Sequence, residues 1–327
     1  MKTRITAIGL CVLLASTALA GPANTSAIPD AAKWVVHVDV SAVTASQIAN
    51  GIMGLITGND SPVPADKVAK AVKGWALVGK VHSITLFGPG IDESEAVVLV
   101  TSKFTEEEIK NAAKIDAQSE TANHGNHVIY TFAGKGPAGG PREGYGCIYD
   151  NTTVVAGASL AQVKAALDVL DGKAKCLGRA NPLTEMLAPS KGSFGVIAAV
   201  DVNTMAGAAM KATPGVGNKP GSQMVAKVQD LRVESGETGG NLYVTANASM
   251  LEEDDAKAIE TMLNGLLAMA MFKAPGEDAM TLLKAIKVDR KGRNVAVGMQ
   301  MSVETILDKI GEKMAAAAVQ IEAKVRP

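Results

Sequence analysis

The residues of this chain whose types lend themselves to chemistry are four histidines, three cysteines, fourteen methionines and two aspartates in matching places. His124 and His127 flank Gly125-Asn126, a spacing that lets two imidazoles face one metal ion. No further ligand stands at diagnostic spacing, so they read as a polar turn ahead of a strand from Val128. His37 and His82 alternate with apolar neighbours in strand-like runs, and each is expected to face solvent or a hydrogen-bond partner. Ser159, in Gly157-Ala158-Ser159-Leu160-Ala161, follows a strand and opens a helix as a hydrolase nucleophile elbow does. The motif's last glycine is Ala161, however, and every histidine precedes the serine, the wrong order for that fold. A capping box is the better reading: the Ser159 hydroxyl accepts from the Gln162 amide and the Gln162 side chain reaches back. Asp39 and Asp201 each lie between two valines at the end of a strand. Brought together, two such carboxylates would suit the acid/base work of a hydrolase; hydrogen bonding to the backbone of a strand-to-helix turn is favoured.

Other clusters have structural explanations. Met299 and Met301 fall on one strand face, a soft-metal arrangement, yet thioethers fill cores more often. The acidic runs 106–108 and 252–255 each begin a helix, where exposed first-turn amides stabilise carboxylates by about 0.3–1 kcal/mol apiece. Gly134-Lys135-Gly136 lacks the Ser or Thr of a phosphate loop and runs into prolines instead of a helix. No cofactor or metal is expected.

The N-terminus points to export. Lys2 and Arg4 precede a mainly apolar run, residues 5–15, and Ala18 and Ala20 offer a signal-peptidase site before Gly21. The apolar run is shorter than the roughly 20 residues a bilayer core requires, and no later segment supplies a span. Cys11 leaves with the signal. Cys147 and Cys176 remain, destined for periplasm, cell surface or medium, where disulfides form. A bridge between them is expected to add roughly 3–4 kcal/mol on the chain-entropy model. Basic residues (32) and acidic residues (33) nearly balance, so no net field gathers nucleic acid, and aromatics are 3% of the chain, which leaves few stacking platforms for bases or sugar rings.

The elements that must position these residues recur. Residues 34–43 and 194–205 both end an extended apolar run in Val-Asp-Val followed by Ser or Asn, with a helix-compatible stretch after it. Residues 81–87, 95–101 and the acidic helix start at 105–108 correspond to 228–233, 241–246 and 252–255. Residues 152–156 with the helix from Ser159 correspond to 295–301 with the helix from Ser302. Each half therefore reads strand, helix, hairpin, helix, hairpin, helix. The expected fold class is α+β: two similar tandem units, residues 21–188 and 189–327, each a mainly antiparallel sheet with helices packed on one face. The Gly/Pro-rich residues 134–146 are expected to form a flexible loop.

Ile28-Pro29-Asp30-Ala31-Ala32, leading into residues 34–40 with Asp39, resembles the opening of exported bacterial tandem α+β families of unknown function. The resemblance implies a non-enzymatic envelope protein and carries over no catalytic residue. The functional expectation is a non-catalytic exported protein acting by binding or structural interaction. Its partner is an unknown protein or a small apolar ligand. The alternatives are a carrier of a lipid or other apolar ligand held between sheet and helices, or the hydrolase built on Asp39 and Asp201.

Overall fold

A computed structural model describes residues 21–58, 61–115, 119, 121–135, 141–212 and 220–325. The signal segment expected over residues 1–20 lies outside the described residues. The fold is α+β; among the described residues twelve strands form one sheet in the order β11-β12-β10-β9-β8-β1-β2-β3-β7-β6-β5-β4, with every neighbour pair antiparallel. In chain order these are β1 (Trp34–Asp39), β2 (Val81–Gly88), β3 (Val97–Ser102), β4 (Thr121–His124), β5 (His127–Lys135), β6 (Pro141–Ile148), β7 (Thr153–Gly157), β8 (Ser193–Ala199), β9 (Val228–Thr238), β10 (Asn241–Met250), β11 (Ile286–Lys291) and β12 (Asn294–Ser302).

Helices fill the connections. α1 (Val40–Ala45), α2 (Gln47–Thr57) and α3 (Ala65–Val78) join β1 to β2, and α4 (Glu106–Ala113) follows β3. α5 (Leu160–Leu170) and α6 (Pro182–Met186) lead from β7 to β8. α7 (Val202–Ala212) and α8 (Pro220–Val225) precede β9, α9 (Glu253–Phe272) and α10 (Glu277–Lys284) follow β10, and α11 (Val303–Val325) follows β12. Their starts are set by local chemistry. Asp39 caps α1 by accepting from the Ala42 amide at 2.8 Å, and Thr105 with Glu108 closes a capping box on α4. Ser159 occupies the N-cap of α5 but its hydroxyl makes no cap bond, unlike the expected capping box.

Two further expectations change. Residues 134–146 are largely strand: β5 runs to Lys135 and β6 starts at Pro141, with 136–140 outside the described residues. The ladder there continues to Lys135↔Pro141, and proline is tolerated at the start of a strand because it need not donate. Where a single hairpin was expected, the first half has a four-strand meander, β4 to β7.

β1 pairs with β8, so the halves form one sheet without a break. Gly195 makes that join possible, because a Cβ there would sit 2.4 Å from the His37 carbonyl oxygen. Residues directly opposite in antiparallel strands share a face. One such row crosses the whole sheet: Ala122, Ile129, Cys147, Val155, Leu99, Thr85, His37, Val196, Glu234, Thr245, Gly298, Lys287. From Ile129 to Val196 every member is buried; α5 covers the part on β6, β7 and β3 with Val163, Ala166 and Leu167, all fully buried, and His37 on β1 meets the Gly21 carbonyl. Beyond β8 the row turns polar, and neither Thr245 nor Lys287 belongs to a buried cluster. The second half is covered on the opposite face instead, where Ala248, Val288 and Val295 meet Ala256, Ile259 and Leu263 of α9. Apolar side chains choose which face a helix seats on, so the two halves carry their main cores on opposite sides of one sheet.

Candidate functional site

The polar stretch of that row floors an open groove of about 960 Å³ across β9, β10, β12 and β11. Thr245 and Asn247 stand on one side, Lys287 and Asp289 on the other, and Ala296 and Gly298 of β12 leave room between them. Gln300, Asn241, Ser302 and Lys191 complete the rim.

At one end the groove rests on an ion pair between a buried carboxylate and a partly exposed guanidinium. Glu234 is 2% exposed and lies 2.9 Å from Arg232 Nη1. Its carboxylate accepts from the Ser190 amide at 2.6 Å and from the Ser190 hydroxyl at 2.7 Å. Arg232 also donates through Nε to the Met186 carbonyl at 2.8 Å and through Nη2 to the Ala188 carbonyl at 2.9 Å. Burial pushes the Glu234 carboxyl upward, but the Ser190 and Ser193 hydrogen bonds and Arg232 outweigh it and hold the group below its ordinary value. Glu234 thus stays ionised and fully engaged. Beside it, burial and the Glu234 charge push the Tyr243 phenol upward, with Ser193 and Arg232 opposing the shift. At neutral pH Glu234 is therefore a carboxylate and Tyr243 a neutral phenol.

The residues singled out by sequence lie elsewhere. Asp201 pairs with Lys33, the residue ahead of β1, at 2.6 Å, while Asp39 closes the other end of β1. Six residues of extended chain separate Lys33 from Asp39, about 20 Å, so the two carboxylates do not share a cleft. Asp39 lines a separate 250 Å³ pocket with His37, Gly21 and Ser190. Burial raises its carboxyl, opposed by the Ala42 amide.

All four histidines have structural partners. His37 is held by Thr85 at 2.9 Å and the Gly21 carbonyl at 3.0 Å, and Ser41 lies 3.2 Å from His82. His124 and His127 flank the β4–β5 turn and reach α5 at Asp168 (2.8 Å) and Asp171 (2.9 Å). Lys173 and then His127 hold Asp171 down to about 2. The pairs fasten an edge hairpin to α5, and among the described residues no three potential ligands group around a metal position.

Cys147 and Cys176 are both free, contrary to the expected disulfide. Cys147 sits in the ladder between Ile129 and Val155 under α5, while Cys176 bridges to Pro29. Burial, then Asp171, pushes the Cys147 thiol up to about 11, which keeps it protonated and unreactive. Met299 and Met301 share the apolar face with Val297, and Met301 is buried.

Sequence reading missed Arg232, Glu234 and Tyr243. The available signal was alternation: Arg232-Val233-Glu234 and Tyr243-Val244-Thr245-Ala246-Asn247 place polar groups on every second residue. That period marks a sheet with one wet face.

No family model matches the chain, and no curated protein does. Among solved structures, crystal form I of the Treponema protein TP0453 is similar at 10% identity and TM-score 0.47, over 90% of this chain and 98% of that one. Crystal form III of the same protein gives 10% identity and TM-score 0.46 over 89% and 98%.

Proposed function

We propose that this is a non-catalytic, exported binding protein whose ligand site is the groove on the second half of the sheet. The observation that carries the reading is the polar half of the cross-sheet row, left open above a floor fixed by Arg232, Glu234 and Ser190. Amide and hydroxyl side chains there, Asn241, Thr245, Asn247 and Gln300, each donate and accept. Positive and negative groups nearly balance: Lys191 and Lys287 stand against Asp289, and Arg232 is matched by Glu234. Such a surface suits a neutral ligand rich in hydroxyls, the chemistry of an oligosaccharide, and gives no preference to a highly charged one.

Export follows from the signal-like residues 1–20, with cleavage before Gly21. The two units, 21–188 and 189–327, are proposed copies of one module. In support, the strand order outward from β1 is β1-β2-β3-β7-β6 and outward from β8 is β8-β9-β10-β12-β11. In each, a hairpin follows the first strand and helix, and the last two strands stand in reversed order.

The binding reading is tested by amide chemical-shift mapping of the full mature chain titrated with neutral oligosaccharides from bacterial envelopes. Saturable shifts confined to Thr245, Asn247, Lys287 and Gln300 are expected. Saturable binding that shifts only residues outside the groove, or hydrolysis of the added sugar, overturns it.

A further inference from the structure

We infer that the second half holds a separate ligand site on the opposite face of the same strands, a slot for one linear acyl chain. The slot lies between the sheet and helices α8 and α9, is open to solvent with a volume of about 260 Å³, and every residue lining it is apolar. Ala246 and Ala248 of β10 and Val295 of β12 form its floor; Met224 of α8 and Ile259 and Leu263 of α9 form its walls.

Three observations specify the occupant. The lining offers no hydrogen-bonding side chain, so nothing there orients or compensates a polar ligand. The space is small: at about 30 Å³ for a water-sized group it accepts roughly eight or nine methylenes, the volume of one medium-length chain. The core on this side is also incomplete. Only Met250, Ala256 and Val295 are fully buried in it, while Val225, which lines the slot, is 45% exposed and Leu266, one turn along α9 from Leu263, is 52% exposed. A linear chain completes that core, because apolar cavities stay dry and take apolar guests. Its polar end remains in water, and either a free fatty acid or a single-chain phospholipid supplies such a chain.

The test is calorimetric titration of the full mature chain with saturated fatty acids of six to sixteen carbons. A second arm uses lysophosphatidylcholines of matching chain length, below their micelle concentrations. Affinity is expected to rise roughly fourfold per methylene and to level off near nine or ten carbons. Plateaus in both arms assign the site to the chain itself; a plateau in one arm assigns it to that headgroup class. Affinity that never levels off, or no binding in either arm, overturns the slot. Two variants that fill it, Ala246→Ile and Ala248→Leu, are each expected to weaken binding more than tenfold, with circular dichroism reporting whether they fold. A folded variant that binds as the parent does overturns the assignment, and if neither folds the chain-length series decides alone. Loss of oligosaccharide binding leaves these outcomes unaffected, since the two sites face away from each other across β10 and β12.

Discussion

Glu234 is the residue on which the groove's floor turns. It is buried among the strands, yet ionised, because Ser190 supplies two hydrogen bonds and Arg232 a counter-charge. Removing Arg232 leaves that carboxylate buried without its cation, a change that costs on the order of 3 kcal/mol in comparable settings. Arg232→Ala is therefore expected to lower the urea midpoint substantially, and Arg232→Lys, which loses the forked donation to Met186 and Ala188, less so. Equal stability of Arg232→Ala and the parent contradicts the role given to the pair.

A second residue-scale expectation concerns acid. His37 and His82 are 6% and 5% exposed, and burial lowers the pKa of both below the ordinary 6.5. The native state then holds fewer protons than the unfolded chain once the pH drops below about 6.5, so their contribution is present above that value and lost below it. Urea midpoints are expected to fall between pH 7.5 and pH 5, and His82→Asn to remove part of that slope. A midpoint that rises toward pH 5 would falsify this assignment. These partners were not legible in the sequence, because Thr85, Gly21 and Ser41 come from other elements.

At the scale of elements, alternation and capping were legible and register was not. The capping box of Thr105 with Glu108 and the turn at Gly239-Gly240, both glycines with positive φ, stand where local chemistry places them, whereas the box expected at Ser159 does not form. Three runs of the four-strand meander, 128–132, 145–149 and 152–156, were legible as extended; β4, only four residues long, and the extension of β5 and β6 through the glycine-rich residues after Phe132 were not. The disulfide failed for a similar reason. Chain spacing permitted a bridge, but Cys147 is committed to the ladder and Cys176 to the segment beside Pro29.

Two glycines separate the roles of that residue type. Gly265 is an exposed interior position of α9 with nothing within 4 Å of a built Cβ, so Gly265→Ala is expected to stabilise by about 1 kcal/mol. Gly195→Ala forces a methyl against the His37 carbonyl across the β1–β8 join and is expected to destabilise by more than about 2 kcal/mol. Chemical denaturation of both variants checks the contrast, and a neutral Gly195→Ala contradicts the tight join.

For the whole molecule, one sheet carries two cores on opposite sides. The sequence reading reached an α+β class with an antiparallel sheet and helices, because period-two and period-3.6 patterns are local signals. It did not reach the change of covered face, which depends on the pairing of Val196 with Glu234, residues thirty-eight positions apart. Once that register is set, the same row that is dry under α5 is wet beyond β8, and the groove follows from it.

The most direct test labels two neighbouring positions that this arrangement sends to opposite faces. Asn247→Cys and Ala248→Cys, made separately in the chain from Gly21 onward, are treated with a soluble maleimide, and peptide mass spectrometry reads the rate at each site. Cys at position 247 is expected to react at least tenfold faster than at 248, and a bound oligosaccharide to slow only the former. Equal rates, or faster reaction at 248, contradict the account.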